Sequence, residues 1–451
     1  MTFSSLVFIF IFLPVTLLLY ALIPGNKVKQ IIIFIAGLLF YAWGSPKHLL
    51  LLLISVLFHY ATGMEIAKQE QRGAYFTKKL TMLITVGVDV LVLILYKYTG
   101  LSLPIGISFF TFSEISYIMD IYWGKAPVTA NPFDSALYIT FFPKLISGPI
   151  VQYKDFSAQL RSLKFKRANI AKGMNLFMIG LFKKVLIADN LGVAFNAAYA
   201  VDGKATVTAW LGMIFYSLQL YFDFSGYSDM AIGLAQMFGF KFEKNFDYPY
   251  TAKNMTDFWR KWHISLGAWF RDYVYIPLGG NRCAPVIQAR NLAVVWILTG
   301  LWHGSTLNYL AWGIYHGIFV LLEKFVIKKK LDFLPDALRA VMTSLVAFVG
   351  WIFFFTPNLG GSFHYIGELF GAGGGGFWNG TTTFILKENL LLMVIAFLFC
   401  GPYLKKLHDK YAFKEGGIMR YVSIAAYIIL FLLCIVNLVS ATYNTFLYFQ
   451  F

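Results

Sequence analysis

Long apolar runs, separated by short connections that carry lysine and arginine, set the pattern of this chain. The runs at 4–23, 49–64, 80–96, 338–355 and 418–439 each reach or approach the ~20 residues that a helix needs to cross hydrocarbon. Counting the weaker runs as well, roughly eleven spans are expected. The first run has no basic stretch before it and no small-residue cleavage site after it, so it reads as a retained helix. The periodicity therefore predicts an all-α polytopic membrane protein that occupies 1–451 as a single domain.

The basic residues orient these spans. Lys27 and Lys29 follow the first run, Lys47 and His48 stand alone in the second connection, and Lys68, Arg72, Lys78 and Lys79 mark the third. Since lysine and arginine concentrate in cytoplasmic loops, the first and third connections are placed inside and the N-terminus outside. The stretches 154–172, 324–330 and 405–414 are cytoplasmic by the same rule. The glycine-rich segment 356–386 has no lysine or arginine and reads as an external loop.

The middle of the chain departs from simple spans. Segment 104–122 is long enough for a helix, but Glu114 and Asp120 interrupt its apolar run and need partners from elsewhere at membrane depth. Segment 216–234 sets Gln219 and Asp223 four apart on one helical face, with Asp229 beyond them. Asp223 and Asp229 have three readings: ion-pair partners of Lys183, Lys184 or Arg260, supports for a catalytic histidine, or proton carriers. Segment 256–275 is too charged to cross lipid, while Trp259, Trp262 and Trp269 suit an interface. It is expected as one short helix at the membrane surface, capped by Asn254 or Thr256.

Composition supports the membrane assignment. Charged residues make up 13% of the chain, against about 25% in soluble domains, and mean hydropathy is +0.65. The net charge of +16 follows from cytoplasmic loops facing anionic lipid, so no nucleic-acid partner is inferred. Cys283, Cys400 and Cys434 are odd in number and lack metal-ligand spacing, which indicates neither a disulfide framework nor a zinc site.

Seven histidines occur, and three of them fall in 254–317, which holds FWRKWHISLGAWFRDYVYIPLGGNR and LTGLWHGSTLNYLAWGIYHG. His303 sits between Trp302 and Gly304, where a neutral imidazole could take the proton of an attacking hydroxyl. The alternative is a buried ring that bonds a carbonyl and packs helices. His263 lies near Arg260, Lys261 and Arg271, a cationic setting that disfavours an imidazolium and suits an anionic ligand. Its alternative is an interfacial residue satisfied by headgroups or water. His316 reads as packing. No two of these histidines on one helix have ligand spacing, and no metal is expected.

The phrases PIGISFFTFSEISYIMDIY, FFPKLISGPI, GLFKKVLIADN, QLYFDFSGYSDMAIGLAQMFGF, KNFDYPY, DFWRKWHISLGAWFRDYVYIPLGGNR and GLWHG together resemble the membrane-bound O-acyltransferase superfamily. The resemblance is to its bacterial alginate O-acetylation and peptidoglycan O-acetyltransferase branch, and it is most specific through 104–317, the expected catalytic core. It implies spanning and re-entrant or interfacial helices around a central chamber, where a cytoplasmic acyl donor meets an acceptor from outside. By this resemblance His303 is the catalytic base and His263 positions donor or acceptor. Acetyl-CoA is the implied donor, with no metal. A coenzyme A thioester cannot cross lipid, so its phosphates need cytoplasmic cations, for which Arg260, Lys261, Arg271 and Arg282 are candidates.

The tail 446–451 fits F-x-Y-x-x-F and is similar to the C-terminal motif of the small membrane peptide that works with the teichoic acid D-alanylating member of the family. Tyr448 is accordingly a candidate first acceptor, the alternative being an aromatic belt at a helix end. An extracytoplasmic SGNH-type, esterase-like partner would then carry the acyl group to a sugar hydroxyl of an envelope polysaccharide. The implied location is the bacterial cytoplasmic membrane. Two other classes are a proton-coupled transporter or flippase of an envelope precursor, which would need a sealed compartment to act, and a structural scaffold.

Overall fold

The computed structural model describes residues 1–440 other than 130, 162, 164, 165, 328, 329, 404 and 407–417, so the tail with Tyr448 lies outside the described residues. Helices dominate and no strand occurs among the described residues. They form two compact units, Met1–Ile179 with Tyr227–Lys244, and Gly180–Gly226 with Asn245–Phe451.

In the first unit a π-helical stretch, Phe8–Phe12, runs into α1 (Leu13–Leu22). Next come α2 (Asn26–Gly44), α3 (Leu49–Gln71), α4 (Tyr75–Tyr98) and α5 (Ile107–Tyr122). Three short helices, α6 (Pro132–Thr140), α7 (Phe142–Leu145) and α8 (Tyr153–Arg161), precede α9 (Arg167–Phe182). Leu39, Leu50, Leu57, Leu83 and Leu91 on α2, α3 and α4 are each more than half exposed, as expected of helices whose outer face meets lipid. Inside, Phe8, Phe40 and Phe142 pack at centroid separations of 5.6 to 6.3 Å. Helix α5 is buried along nearly its whole length, and its acids find the partners their depth requires. Asp120 Oδ2 accepts from the Lys154 backbone N–H at 2.9 Å, and Glu114 Oε1 accepts from Ser55 Oγ at 2.5 Å.

The second unit contains α10 (Asp189–Tyr199) and most of α11 (Thr206–Met237), followed by α12 (Met255–Lys261) and α13 (Ile264–Phe270). Then come α14 (Pro285–His303), α15 (Leu307–Leu322), α16 (Asp336–Phe355), α17 (Leu359–Glu368), α18 (Gly380–Phe399) and α19 (Ile418–Ser440). Asp223 on α11 is an ion-pair partner: Lys184 Nζ stands 2.8 Å from it and 2.6 Å from Asp189. The expected external loop 356–386 contains α17, capped by Asn358 Oδ1 accepting from the Gly361 N–H at 2.9 Å. The glycine run after α17 lies along the start of α11, where Gly376 O accepts from the Thr206 N–H at 2.9 Å.

Among the described residues, seven helices are long and apolar enough to cross a bilayer: α2, the Pro46–Gln71 and Tyr75–Tyr98 stretches, Leu307–Ile327, α16, α18 and Tyr421–Ser440; a shorter apolar helix is Phe8–Leu22. The protein is a multi-pass, all-α membrane protein. Helices such as α11 fall short of that hydropathy because they bury polar side chains, Gln219 and Asp223 among them, which protein contacts satisfy instead of lipid.

Candidate functional site

The segment expected as one interfacial helix is two helices with a sharp break. Asn254 caps α12, its Oδ1 accepting from the Asp257 N–H at 2.7 Å, while Glu323 accepts from the Thr256 N–H at 2.8 Å and from its hydroxyl at 2.9 Å. Between α12 and α13 stands His263, with φ of 45°, one of two non-glycine residues in the left-handed region among the described residues. A side chain with a Cβ adopts that conformation at a cost, and such residues gather at functional sites. No glycine or proline in the sequence announces the break.

Asn245 holds the turn. Its backbone carbonyl accepts from the Ile264 N–H at 2.9 Å. Its side-chain Oδ1 accepts from the Ser265 N–H at 3.1 Å and the Ser265 hydroxyl at 2.9 Å, and lies 3.2 Å from His263 Nδ1. An amide oxygen cannot donate, so Nδ1 carries the hydrogen and Nε2 the lone pair. Phe224 meets the ring edge to face at 4.6 Å. The ring lies outside the spanning helices, and burial pushes its pKa down to about 3.

His303 is the last residue of α14 and is 2% exposed. Rings of Trp302, Trp312 and Phe354 approach it at 4.8, 4.8 and 5.1 Å. The glycine after it is required by space, because a Cβ on Gly304 would stand 2.3 Å from the Tyr309 ring. Further up, a Cβ on Gly300 would meet Tyr309 O at 2.6 Å and one on Gly313 would meet Trp296 O at 2.5 Å. Helices α14 and α15 thus touch through their backbones, which aligns Trp296, Trp312 and His303.

His263 and His303 line one cavity of about 530 Å³, walled by Trp259, Trp262, Trp296, Trp312 and Trp351. A second cavity of about 960 Å³ shares Thr256, Arg260, Tyr275, Leu292 and Val320 with the first, so the two adjoin. The second is charged, with Lys253, Lys324 and Arg339 beside Asp257, Glu323 and Asp332.

The four expected cations separate by position. Arg260 lines both cavities and Arg271 the first alone, its Nε bonded to Asp272 Oδ1 at 2.7 Å. Lys261 and Arg282 line neither, and Lys261 Nζ is bonded to Asp257 Oδ2 at 2.9 Å. Lys253, Lys324 and Arg339 were not singled out by the sequence, because each comes from a different segment and carries no motif. His316 stands outside the cavity, fully buried behind Trp259 and Trp312 at 4.9 and 5.1 Å.

Two buried imidazoles and an indole wall thus meet at one cavity of a polytopic helical protein, beside a second, charged cavity. The chain belongs to the membrane-bound O-acyltransferase family, whose model matches residues 33–363. It is 36% identical to the "Probable alginate O-acetylase AlgI" of Pseudomonas putida over the full length of both chains. To the protein of that name in Pseudomonas aeruginosa it is 41% identical, over 80% of this chain and 73% of the relative. The "Peptidoglycan O-acetyltransferase" of Helicobacter pylori is 36% identical over 82% of this chain and 80% of its own. The protein is an acyltransferase.

Proposed function

We propose that the protein moves an acetyl group from a cytoplasmic acetyl-CoA thioester to an extracytoplasmic acceptor, for O-acetylation of an envelope polysaccharide such as peptidoglycan or an alginate-like exopolysaccharide. The observation that carries this reading is the placement of His263 and His303 on one indole-walled cavity joined to a cation-bearing one. The names of the relatives supply the acetyl group and the polysaccharide class. The catalytic core is 104–317, and the site is the bacterial cytoplasmic membrane.

The coenzyme A end rests in the larger cavity, where Arg260, Lys324 and Lys253 offer charge to phosphates, and only the acyl thioester enters the smaller one. His303 accepts the proton of the acceptor hydroxyl as its oxygen bonds to the thioester carbonyl carbon. The tetrahedral intermediate collapses, the carbon–sulfur bond breaks, and the thiolate recovers the proton from His303. No proton is gained or lost overall. His263, kept neutral by burial and fixed by Asn245, positions donor or acceptor through Nε2. Indole walls exclude water, which favours transfer over hydrolysis.

The first acceptor in this scheme is Tyr448, which passes the acetyl group to an SGNH-type partner and thence to sugar. Peptide mass spectrometry after incubation with acetyl-CoA tests it. An acetyl mark on Tyr448 that disappears in His303→Ala supports the relay. Full transfer by Tyr448→Phe assigns the first acceptor elsewhere, and absence of any thioester cleavage rejects acetyl-CoA as donor.

A further inference from the structure

Helices α3, α4 and α5 bury a cluster of side chains for which acyl transfer has no use. His59, Asp89 and Glu114 are 0, 5 and 2% exposed. His59 Nδ1 lies 2.8 Å from the carbonyl oxygen of Ser55. A carbonyl only accepts, so Nδ1 holds a hydrogen, and in a neutral imidazole Nε2 then presents its lone pair. That nitrogen faces both oxygens of the Asp89 carboxylate, at 3.0 and 3.1 Å. A lone pair and a carboxylate at that separation repel unless something positive lies between them, and a proton or a metal ion can fill that role.

Two further observations favour the metal. One ligand atom from each of His59, Asp89 and Glu114 lies within 4.8 Å of the others. The ligand-to-ligand edges around an ion held at ~2.0–2.1 Å run roughly 2.9–3.4 Å, which includes the His59–Asp89 spacing; Glu114 stands farther off, its Oε1 3.9 Å from His59 Nδ1, and has to close in to bind.

We propose that His59 Nε2, Asp89 and Glu114 bind a divalent transition ion of the zinc or manganese class. One neutral imidazole and two carboxylates balance a dication, and both donor types suit such ions. The Nδ1–H bond to the Ser55 carbonyl is the outer contact that fixes the ring of a metal-bound histidine, and the Ser55 hydroxyl, bonded to Glu114 Oε1 at 2.5 Å, keeps the third ligand beside it. The ion would tie together three consecutive helices, two of which are apolar enough to span a bilayer. Histidine spacing along the chain is silent about such a site because each ligand comes from a different helix.

Metal analysis of the full-length protein tests this independently of any transfer activity. The protein, purified in detergent without chelator, is equilibrated with Zn²⁺ or Mn²⁺, desalted and assayed by mass spectrometry of the metal. About one ion per chain is expected, falling to background in Asp89→Asn and Glu114→Gln, with affinity about 10–100-fold weaker in Ser55→Ala. Should the carboxylate variants misfold, the unmodified protein still decides. Phenanthroline is expected to lower its thermal transition, and Zn²⁺ but not Mg²⁺ to restore it. No ion retained by the unmodified protein, with a transition that the chelator does not move, overturns the proposal and leaves a proton between His59 and Asp89. Metal content equal in folded variants and unmodified protein overturns it as well.

Discussion

Asn245 Oδ1 sets the tautomer of His263. The amide oxygen already accepts two hydrogens from Ser265, so the imidazole 3.2 Å away meets it as a donor through Nδ1, and Nε2 is left as the basic nitrogen. A residue from the KNFDYPY phrase thus determines which atom of a histidine in the WRKWHISL phrase can serve a ligand.

Removing that oxygen has two expected effects. Asn245→Ala leaves the Ser265 N–H and hydroxyl and the His263 Nδ1–H without their acceptor, a loss of about 1–3 kcal/mol for a buried donor, read as a lower thermal transition. The ring also loses its fixed tautomer, so acyl transfer falls while donor KM changes little. A variant with unaltered transition and turnover would remove Asn245 from the positioning machinery.

Acid should weaken the fold through His263. Its folded pKa of about 3 lies below the ~6.5 of an unfolded histidine, so the unfolded state takes up the proton first as pH falls. The contribution is fully present above about pH 6.5 and is lost on the order of 1 kcal/mol per pH unit between about 6 and 3. Chemical unfolding of the protein at several pH values, compared with His263→Gln, checks this; identical slopes in the two would contradict it. The same pKa keeps His263 neutral at physiological pH, so an acidic limb in the rate profile should survive in His263→Gln.

His303→Ala is expected to lower transfer by about 10²–10⁴-fold, the usual contribution of a general base. The comparison that matters is with the thermal transition, since His303 also packs among Trp302, Trp312 and Phe354. A loss below tenfold in a protein of normal stability would return His303 to the packing role that its sequence context equally allowed.

Much of this architecture is legible in the chain. Apolar runs locate α1, α3, α4, α16 and α19, because a lipid-facing helix must be apolar along its length. Residue type narrows the cap of α12 to Asn254 or Thr256, and the bond to the Asp257 N–H selects Asn254. The break at His263 does not follow from residue type, since a left-handed histidine is imposed by tertiary contacts with Asn245 and not by local propensity. Arg260, Lys261, Arg271 and Arg282 look equivalent as basic residues near one motif, and only the direction of each side chain separates them. Buried acids such as Glu114 signal a need for partners, but their identity, Ser55 in this case, depends on which helices meet.

The glycine of the Trp302–His303–Gly304 motif makes a steric prediction. In Gly304→Ala the new methyl would lie 2.3 Å from the Tyr309 ring, whereas at Gly267 its nearest neighbour would be 3.9 Å away. Overpacking of this kind costs typically 1–3 kcal/mol, so Gly304→Ala is expected to unfold at lower temperature and to lose transfer as His303 shifts. Gly267→Ala, in the cavity wall near His263, should keep its transition within measurement error. Equal behaviour of the two would mean that Tyr309 yields freely and that the glycine serves something other than space.

Cation position predicts donor affinity. Arg260 faces both cavities, whereas Arg282 faces neither, so Arg260→Ala is expected to raise KM for acetyl-CoA by about tenfold or more, the scale of one charge-assisted hydrogen bond. Arg282→Ala should leave KM within about twofold. Lys324, whose Nζ donates to Asn281 Oδ1 at 2.7 Å, reaches the larger cavity, and Lys324→Ala should resemble Arg260→Ala more than Arg282→Ala. A thioester shortened to the pantetheine arm, without the nucleotide phosphates, makes the test specific: it should bind the unmodified protein weakly and be indifferent to all three substitutions. If Arg260→Ala weakens the short thioester as much as acetyl-CoA, the arginine acts on the acyl end or on the turn at His263, and the larger cavity is not where the nucleotide rests.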